Sequence, residues 1–380
     1  MIITRYVYSK LRWRFSIYNL SKTWVIQNLD SQIKEYIKRW LLLPPGANTR
    51  HFYLPAKYLG LKFSFPSDIY EESQLTTRKI LCSSENKEIK ELYELTKAKH
   101  INLHSLLNDS QKNSKKNLQI NNVNKILCDL KELKEQNVII QTISESCSAN
   151  SLIKWQKICE TLPQNIFTFV RKALIFNLPI NGNLQRWKRI TNSKCNLCQN
   201  KQTQLHVLNN CPTAVNSGRY TWRHNSLLFT ICYYLNNLLN LGYQVLADLD
   251  GYRNTAELFH HFRPDAALIK DNEIIILELT CCFETNFKKS RDFKIEKYRN
   301  LKEDLIDQSK KLKKVFIEIS PLGFYTKNII EFERTCKISP VINIKRLLSK
   351  LTEVSIRSSY YIYTQRNNND WNHPNILKFY

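Results

Sequence analysis

A cluster of three cysteines and one histidine constrains the fold of this chain more than any other feature of its sequence. Cys195, Cys198, His206 and Cys211 follow the spacing C-x2-C-x7-H-x4-C. Two cysteines separated by two residues can hold one ion from a tight turn, and a His and a Cys five positions apart can do so from a short helical turn. We predict a structural Zn²⁺ site of the Cys3His type, whose four protein ligands leave no open position for catalysis. The alternative is four unrelated residues in a reduced protein.

The zinc interpretation depends on the cysteines being thiols. The first residues, MIITRYVYSKLRWRF, interrupt their apolar positions with Arg and Lys and lack the continuous apolar run of a secretory signal. The eleven cysteines are therefore expected to be reduced, and tight spacing among reduced cysteines points to metal.

The cluster lies in the most basic part of a basic chain. Lys and Arg total 57 against 33 Asp and Glu, a formal charge of +24, and residues 161–247 contain nine Lys or Arg and no acid. A field of this sign attracts a polyanion, and basic residues beside an aromatic ring suit phosphate contact and base stacking. A solvated basic face would have the same composition. The candidate nucleic-acid contacts around the cluster are Arg186, Trp187, Lys188, Arg189, Lys194 and Lys201.

Changes of composition predict an α+β multidomain protein with a mostly helical N-terminal half, a small zinc knuckle and a C-terminal α/β domain. The predicted segments are a basic one (1–66), a helical linker without Gly or Pro (67–162), a basic zinc-knuckle region (163–225), an α/β core (226–330) and a tail that packs on or follows this core (331–380).

The start of the predicted α/β core is free of charge. Residues 226–247 contain no Asp, Glu, Lys, Arg or His, yet Asn236, Asn237 and Asn240 lie among them and leucines recur at helical spacing. We predict a core helix there and not a membrane span.

The segment FRPDAALIKDNEIIILELT, residues 262–280, predicts a β-hairpin with two acids at one end. Strands at 266–269 and 274–279, joined by a two-residue turn at 271–272, place Asp265 directly opposite Glu278. The rest of the hairpin is apolar, so two adjacent carboxylates are tolerable if a hard cation such as Mg²⁺ or Mn²⁺ lies between them. The alternative is that both acids cap strand ends in solvent.

The helix predicted after this hairpin carries lysines toward the same place. Lys294, Tyr298, Leu301 and Leu305 share one helical stripe, and Lys297 lies one turn further on. An ammonium on a face that packs inward needs carboxylates or a phosphate as partners. Two acids, a metal ion and a lysine are the groups that phosphodiester hydrolysis needs.

Five motifs follow one another in an order that resembles a known family. They are the zinc knuckle, Arg223-His224-Asn225, Arg263-Pro264-Asp265, Glu278-Leu279-Thr280 and Lys294-x-x-Lys297-Tyr298. Over residues 150–330 they resemble the C-terminal half of site-specific non-LTR retrotransposon polyproteins with a restriction-like endonuclease. The segment LPPGANTRHFYLP resembles, more loosely, the region just past the polymerase thumb.

The resemblance implies a PD-(D/E)xK fold and a metal-dependent DNA endonuclease that nicks target DNA for target-primed reverse transcription. It implies that Asp265 and Glu278 bind Mg²⁺ or Mn²⁺, that Lys294 or Lys297 takes the lysine role, and that Arg223 and His224 contact nucleic acid. Thr280 stands where the general pattern puts lysine, so the lysine has to come from the helix.

The resemblance also implies partners and a location. These are target DNA, element RNA and the nucleus, with no membrane. The sequence has no Asp-Asp pair and therefore no polymerase signature, so a reverse transcriptase half supplied in trans is a further expected partner.

Two other functions stay open. A catalytically inactive remnant of a retroelement would keep nucleic-acid binding without cutting, and a zinc-stabilised protein-interaction adaptor would use the helical region 67–162. A salt-dependent affinity for DNA is expected of the endonuclease and of the inactive remnant, and it distinguishes both from the adaptor.

Overall fold

The chain forms two compact units, Met1–Asn137 and Val138–Tyr380. The computed structural model describes residues 3–97, 111–301 and 311–372. Helices make up most of the described chain, and one four-stranded sheet completes a mixed α+β fold. The boundary between the units lies inside the predicted helical linker.

The N-terminal unit is built from helices in its described part. They are α1 (Tyr8–Ile17), α2 (Lys22–Val25), α3 (Ser31–Trp40), α4 (Pro66–Cys82), α5 (Lys87–Lys97) and α6 (Gln111–Lys131). Pro66 suits the first turn of α4, where a backbone N–H would have no intrahelical acceptor. Phe15 of α1 packs edge-to-face on Tyr70 of α4, with ring centroids 5.4 Å apart. These two rings form the centre of a small apolar core in this unit.

Helix α7 (Lys134–Ser146) crosses the boundary between the units, and the remaining helices belong to the C-terminal unit. They are α8 (Ala149–Thr161), α9 (Gln164–Leu174), α10 (Asn181–Arg186), α11 (Pro212–Asn216), α12 (Arg219–Leu235), α13 (Ala256–Phe259), α14 (Phe287–Lys297), α15 (Ile329–Cys336) and α16 (Ile344–Thr364). In its described part, the breaker-free region 67–162 consists of helices joined by short connections, as predicted, and residues 98–110 lie outside the described part.

The sheet contains the predicted hairpin at its centre. Its strands are β1 (Gln244–Ala247), β2 (Ala266–Lys270), β3 (Glu273–Cys281) and β4 (Lys311–Ile319), in the order β1-β2-β3-β4. The β1–β2 and β2–β3 pairs are antiparallel, whereas β3 and β4 are parallel. Ala266 pairs with Leu277, which is the predicted register.

Both faces of the sheet are covered. On one face, β-strand residues pack in a large apolar cluster with α12, α15 and α16, and on the other face a smaller cluster includes Tyr298 and Leu301. Each fully buried Leu or Ile contributes about 1.5–3 kcal/mol relative to an exposed one. Burial on both faces explains why β2 and β3 read as almost continuous Ala, Ile and Leu runs. The predicted tail packs on the sheet through Leu347, Leu351 and Val354 of α16.

The core helix predicted for residues 226–247 was too long. Helix α12 ends at Leu235, a 3-10 segment covers Asn236–Leu241, and Gln244–Ala247 is strand β1. Gly242, at φ +82°, takes the left-handed conformation that ends the helical run. No helix in the described part of the chain is long and apolar enough to cross a membrane.

Candidate functional site

The four predicted metal ligands come together in the structure. The ligand atoms of Cys195, Cys198, His206 and Cys211 all lie within 4.8 Å of one another, and Cys198 Sγ is 3.3 Å from His206 Nε2. Bonds of about 2.3 Å from a zinc ion to sulfur would hold tetrahedral ligand atoms about 3.8 Å apart. Three thiols and one imidazole at this spacing fit a Cys3His metal site, and the predicted gathering of these side chains is confirmed.

A short hairpin presents the first two cysteines. Lys194 and Lys201 form a β-bridge, and the backbone N–H of Cys195 donates to Asn200 O at 2.7 Å. Gln199, at φ +63°, closes the turn with its N–H on Cys195 O. The Cys-x-x-Cys spacing therefore forms a tight turn with both sulfurs on its inner side, as the sequence predicts for a knuckle.

The other two ligands lie on a helical segment held by a tyrosine. His206 begins a π-helical turn, His206–Asn210, and Cys211 directly precedes α11. Tyr220 Oη lies 3.0 Å from the carbonyl oxygens of His206 and Val207, and it accepts the N–H of Cys211 at 3.1 Å. Burial lowers the pKa of His206, which favours the neutral imidazole that binds metal.

Most of the predicted basic contacts lie on the surface beside this cluster. Arg186, Lys188, Arg189, Lys194 and Lys201 are exposed and Trp187 is half-buried. The Arg189 guanidinium lies 5.8 Å from the Trp187 ring centroid. These side chains are accessible to a phosphate backbone, with one aromatic ring among them.

Arg223 does not belong to this surface set. It is 1% exposed, donates to Ser359 Oγ at 3.1 Å and lies over the ring of Tyr220. The helix α12 that carries it is packed between the sheet and α16, so residue 223 points into the protein. The structure therefore differs from the prediction that this guanidinium contacts nucleic acid.

The two acids of the hairpin lie as predicted, one pair beyond the ladder of β2 and β3. The N–H of Leu279 donates to Asp265 Oδ2 at 2.7 Å, and the N–H of Asp265 points to Glu278 Oε2 at 3.4 Å. Each carboxylate therefore lies beside the backbone of the neighbouring strand. Arg263, two residues before Asp265, has φ +34°. A positive φ is uncommon for a residue other than glycine, and it occurs here just before strand β2.

Glu278 is buried and in contact with three side chains. Two are the lysines Lys294 and Lys297 of α14, and the third is Tyr298, which follows the helix. The Glu278 side chain is 2% exposed. Oε1 accepts from Lys294 and lies 3.8 Å from Lys297 Nζ, and Oε2 accepts from Tyr298 Oη at 2.5 Å. The two lysines and the tyrosine thus supply the positive charge and hydrogen bonds that a buried carboxylate needs. We call Asp265, Glu278, Lys294 and Lys297 the carboxylate site.

The predicted helix stripe extends past the end of the observed helix, so Tyr298 and Leu301 follow α14 and do not lie on it. Tyr298 and Leu301 are fully buried, Lys294 is a quarter exposed, and Leu305 lies outside the described residues. Helix α14 ends at Lys297 and not further along the chain. Burial lowers the pKa of Lys297, because only part of its desolvation is offset by the charge of Glu278.

His224 lies beside the carboxylate site, in contact with Asp265, and not on the open surface. Its Nε2 is 3.4 Å from Asp265 Oδ2 and 3.3 Å from the carbonyl oxygen of Leu279. Burial would lower the pKa of His224, but Asp265, Asn225 and the Leu279 carbonyl together raise it to about 8. Burial likewise opposes the charge of Asp265, yet His224 and the Leu279 N–H hold the pKa of this carboxyl below its usual range.

The structure adds an acid that sequence reasoning missed. Asp248 directly follows β1, and its N–H donates to Asp265 O at 2.9 Å. The β1–β2 register, extended by one pair, sets Asp248 opposite Asp265, so three acids form a row across three strands on one face. Asp248 Oδ1 is paired with Arg263 at 2.6 Å. An acid at the end of a four-residue edge strand has no local motif that would mark it.

Two other acids near the site are engaged elsewhere. Glu257, which the sequence leaves open as a third acidic ligand, is half exposed and pairs with Arg253 at 2.7 Å. Glu318 of β4, paired in register with Thr280, is buried and accepts from Arg291 of α14 at 2.9 Å. The Arg291–Glu318 pair therefore joins α14 to the sheet three residues before Lys294.

Comparison with known proteins adds no relative. No family model matches the chain, and no curated protein matches it.

Proposed function

We propose that this protein is a metal-dependent DNA endonuclease with a structural zinc knuckle, in a restriction-like fold of the kind that nicks target DNA for retrotransposon integration. The observation that carries the proposal is the carboxylate site: Asp265 and Glu278 on adjacent strands, with Lys294 and Lys297 converging on Glu278 from α14. A buried acid pair beside two lysines is costly for a purely structural role.

The donor set at the carboxylate site fits a hard divalent cation. Asp248, Asp265 and Glu278 offer carboxylate oxygens on one face of the sheet, and such oxygens are the ligands that Mg²⁺ and Mn²⁺ prefer. When bound, the ion would lower the pKa of a water and neutralise charge on the scissile phosphate.

The side chains around these acids have roles of their own. Lys294 is the partly exposed cation nearest Glu278, so with an ion bound it would hold a water or a phosphate oxygen. Tyr298 fixes Glu278 through Oε2, and His224 bridges Asp265 and the Leu279 carbonyl. Both contacts would orient a carboxylate.

The zinc cluster and its basic surroundings support a binding role beside the cutting role. Zn²⁺ at Cys195, Cys198, His206 and Cys211 would hold the knuckle in one conformation, and the exposed basic residues beside it face solvent without any acid between residues 161 and 247. Target DNA is the expected partner, with element RNA and a polymerase half in trans as further ones. The site of action would be the nucleus.

Cleavage of supercoiled plasmid with Mg²⁺ or Mn²⁺ tests the proposal. We expect the full chain to nick the plasmid, Asp265→Ala to abolish nicking, and Lys294→Ala to reduce it by about a hundredfold or more. Asp292→Ala, which removes an exposed acid of α14, is the matched control and should cut normally.

A second function would follow from one particular result. A folded, zinc-loaded chain that binds DNA in a salt-dependent way but never nicks it would be an inactive nucleic-acid-binding remnant. A chain that neither nicks nor binds DNA would contradict both functions and favour the protein-interaction adaptor.

A further inference from the structure

Helix α1 in the N-terminal unit exposes a row of aromatic and basic side chains. Lys10, Trp13, Arg14 and Ile17 follow the i, i+3, i+4, i+7 spacing of one helical face, and Trp13 is 66% exposed. Ser9, Lys10, Trp13 and Arg14 line a shallow depression of about 380 Å³. We call Lys10, Trp13, Arg14 and Ile17 the aromatic-basic face.

The opposite face of α1 accounts for the folding of the helix. Tyr8 and Phe15 are buried and pack on α4, and Arg12 pairs with Glu72 of α4 at 3.2 Å. The apolar contacts and the ion pair that hold α1 against α4 therefore lie on that side. The packing of this unit gives no reason for a tryptophan in solvent on the other side.

The cations of the aromatic-basic face have no acid to neutralise them. Residues 3–29 contain five Lys or Arg and no Asp or Glu. Within the described part of the chain, neither Lys10 nor Arg14 forms a salt bridge. A ring beside two unneutralised cations offers a stacking surface for a base and positive charge for its adjoining phosphates.

The arrangement fits this partner better than a membrane or a protein. An interfacial helix separates its apolar face from its basic face, whereas here Trp13 shares one face and one depression with Lys10 and Arg14. A protein interface excludes lysine from its centre, whereas Lys10 lines the depression beside Trp13.

We propose that the aromatic-basic face binds single-stranded nucleic acid, with one base stacked on Trp13 and the adjoining phosphates held by Lys10 and Arg14. A duplex keeps its bases stacked inside, so only an unpaired strand can offer a base to the indole ring. Tyr6, 64% exposed in the π-helical turn Ile3–Val7 before α1, lies about 10 Å from Trp13 along the helix and extends the same track. This inference does not depend on the carboxylate site.

Fluorescence anisotropy with labelled oligo(dT), oligo(U) and a duplex of the same length tests the proposal on the full chain. We expect Trp13→Ala to weaken binding of a single strand about tenfold and to leave duplex binding unchanged, while Trp13→Phe keeps most of the affinity. Lys10→Ala should reduce the slope of log K against log salt by about 0.7. The two oligonucleotides decide between DNA and RNA as the preferred strand.

Tyr36→Ala is the matched control, because Tyr36 is an equally exposed ring (60%) on α3 of the same unit. Equal losses in Tyr36→Ala and Trp13→Ala would overturn the proposal, since any exposed ring would then suffice. Unchanged affinity in Trp13→Ala would overturn it as well. Two further results would overturn it if Trp13→Ala leaves oligonucleotide affinity unchanged. One is Trp13-dependent binding to vesicles that contain phosphatidylserine, and the other is a Trp13-dependent change of oligomeric state. Loss of plasmid nicking would leave the proposal intact.

Discussion

Asp265 and Glu278 lie directly opposite each other on neighbouring antiparallel strands, and each is bound to the other's strand. The N–H of Leu279 donates to Asp265, and the N–H of Asp265 faces Glu278. Their surroundings differ, since Asp265 is paired with His224 and Glu278 with Lys294 and Tyr298. Two acids with separate counter-charges can be held close together in a buried site without repelling each other strongly.

The row of three acids predicts a role for Asp248 in metal affinity. If Asp248 contributes an oxygen to the ion at Asp265, Asp248→Asn should raise the Mg²⁺ concentration for half-maximal plasmid nicking about tenfold. Arg263→Ala, which frees Asp248 from its ion pair, should lower that concentration. The measurement is a Mg²⁺ titration of the nicking rate.

Glu257→Gln is the control for this titration, because Glu257 is engaged with Arg253 on the surface. An Asp248→Asn protein with the Mg²⁺ dependence of the unaltered chain would show that the row stops at Asp265.

The pair formed by Lys294 and Glu278 should contribute to stability independently of any activity. Lys294→Ala leaves a buried carboxylate without its nearest ammonium group, so we expect a loss of about 2 kcal/mol in the free energy of unfolding. Lys297→Ala should cost less, because its Nζ lies 3.8 Å from Glu278. Urea denaturation measures both effects.

A double variant separates the charge from the packing of the lysine stem. Glu278→Gln combined with Lys294→Ala removes both charges and should recover most of the loss seen in Lys294→Ala alone. If the losses measured for Glu278→Gln and Lys294→Ala singly add up to the loss of the double variant, the lysine stabilises α14 through its aliphatic stem and not through Glu278.

The hairpin could be predicted from sequence because its information is local. A two-residue turn between two apolar runs fixes the pairing of every residue, and the structure has the same register, with Ala266 opposite Leu277. The cysteine cluster could be predicted for the same reason, since its four ligands lie within seventeen residues of the chain. In both cases short-range chain geometry alone determines which side chains meet.

Features that depend on long-range packing could not be predicted in this way. Arg223 occurs in a basic segment, and only the packing of α16 against α12 buries its guanidinium. Asp248 joins the site because β1 pairs with β2, although eighteen residues separate the two strands. The charge-free stretch 226–247 divides into helix and strand because its last residues complete the edge of the sheet. No periodic pattern in the sequence predicts these contacts.

The zinc cluster predicts a metal content that can be measured directly. The purified chain should contain about one zinc per molecule, and Cys198→Ser should lose most of it and unfold at a lower temperature, since Tyr220 is bonded to the ligand segment. Elemental analysis and thermal unfolding measure the two effects. Cys128→Ser, at an exposed cysteine outside the cluster, should keep its zinc. Equal zinc content in both variants would contradict the assignment.

The carboxyl of Glu284 predicts how stability changes with pH. Glu284 is fully buried, and the polar groups nearest its carboxyl are its own backbone N–H, the Ser320 hydroxyl and the Arg223 guanidinium. Burial raises its pKa from 4.5 to about 7, and hydrogen bonds from its own backbone and Ser320, with the charge of Arg223, offset only part of this effect. Between these values the folded chain keeps a proton that the unfolded chain releases. The contribution of Glu284 to stability therefore falls as the pH rises from 4.5 to 7, by about 3 kcal/mol in total.

Glu284→Gln removes this titration, so the variant should gain on the unaltered chain as the pH rises, by about 3 kcal/mol between pH 4.5 and pH 8. Urea denaturation at a series of pH values measures the difference. Glu296→Gln, at an exposed glutamate of α14, should follow the unaltered chain throughout. A constant difference between Glu284→Gln and the unaltered chain at every pH would mean that Glu284 is ionised in the folded protein across the whole range, with Arg223 as its counter-ion.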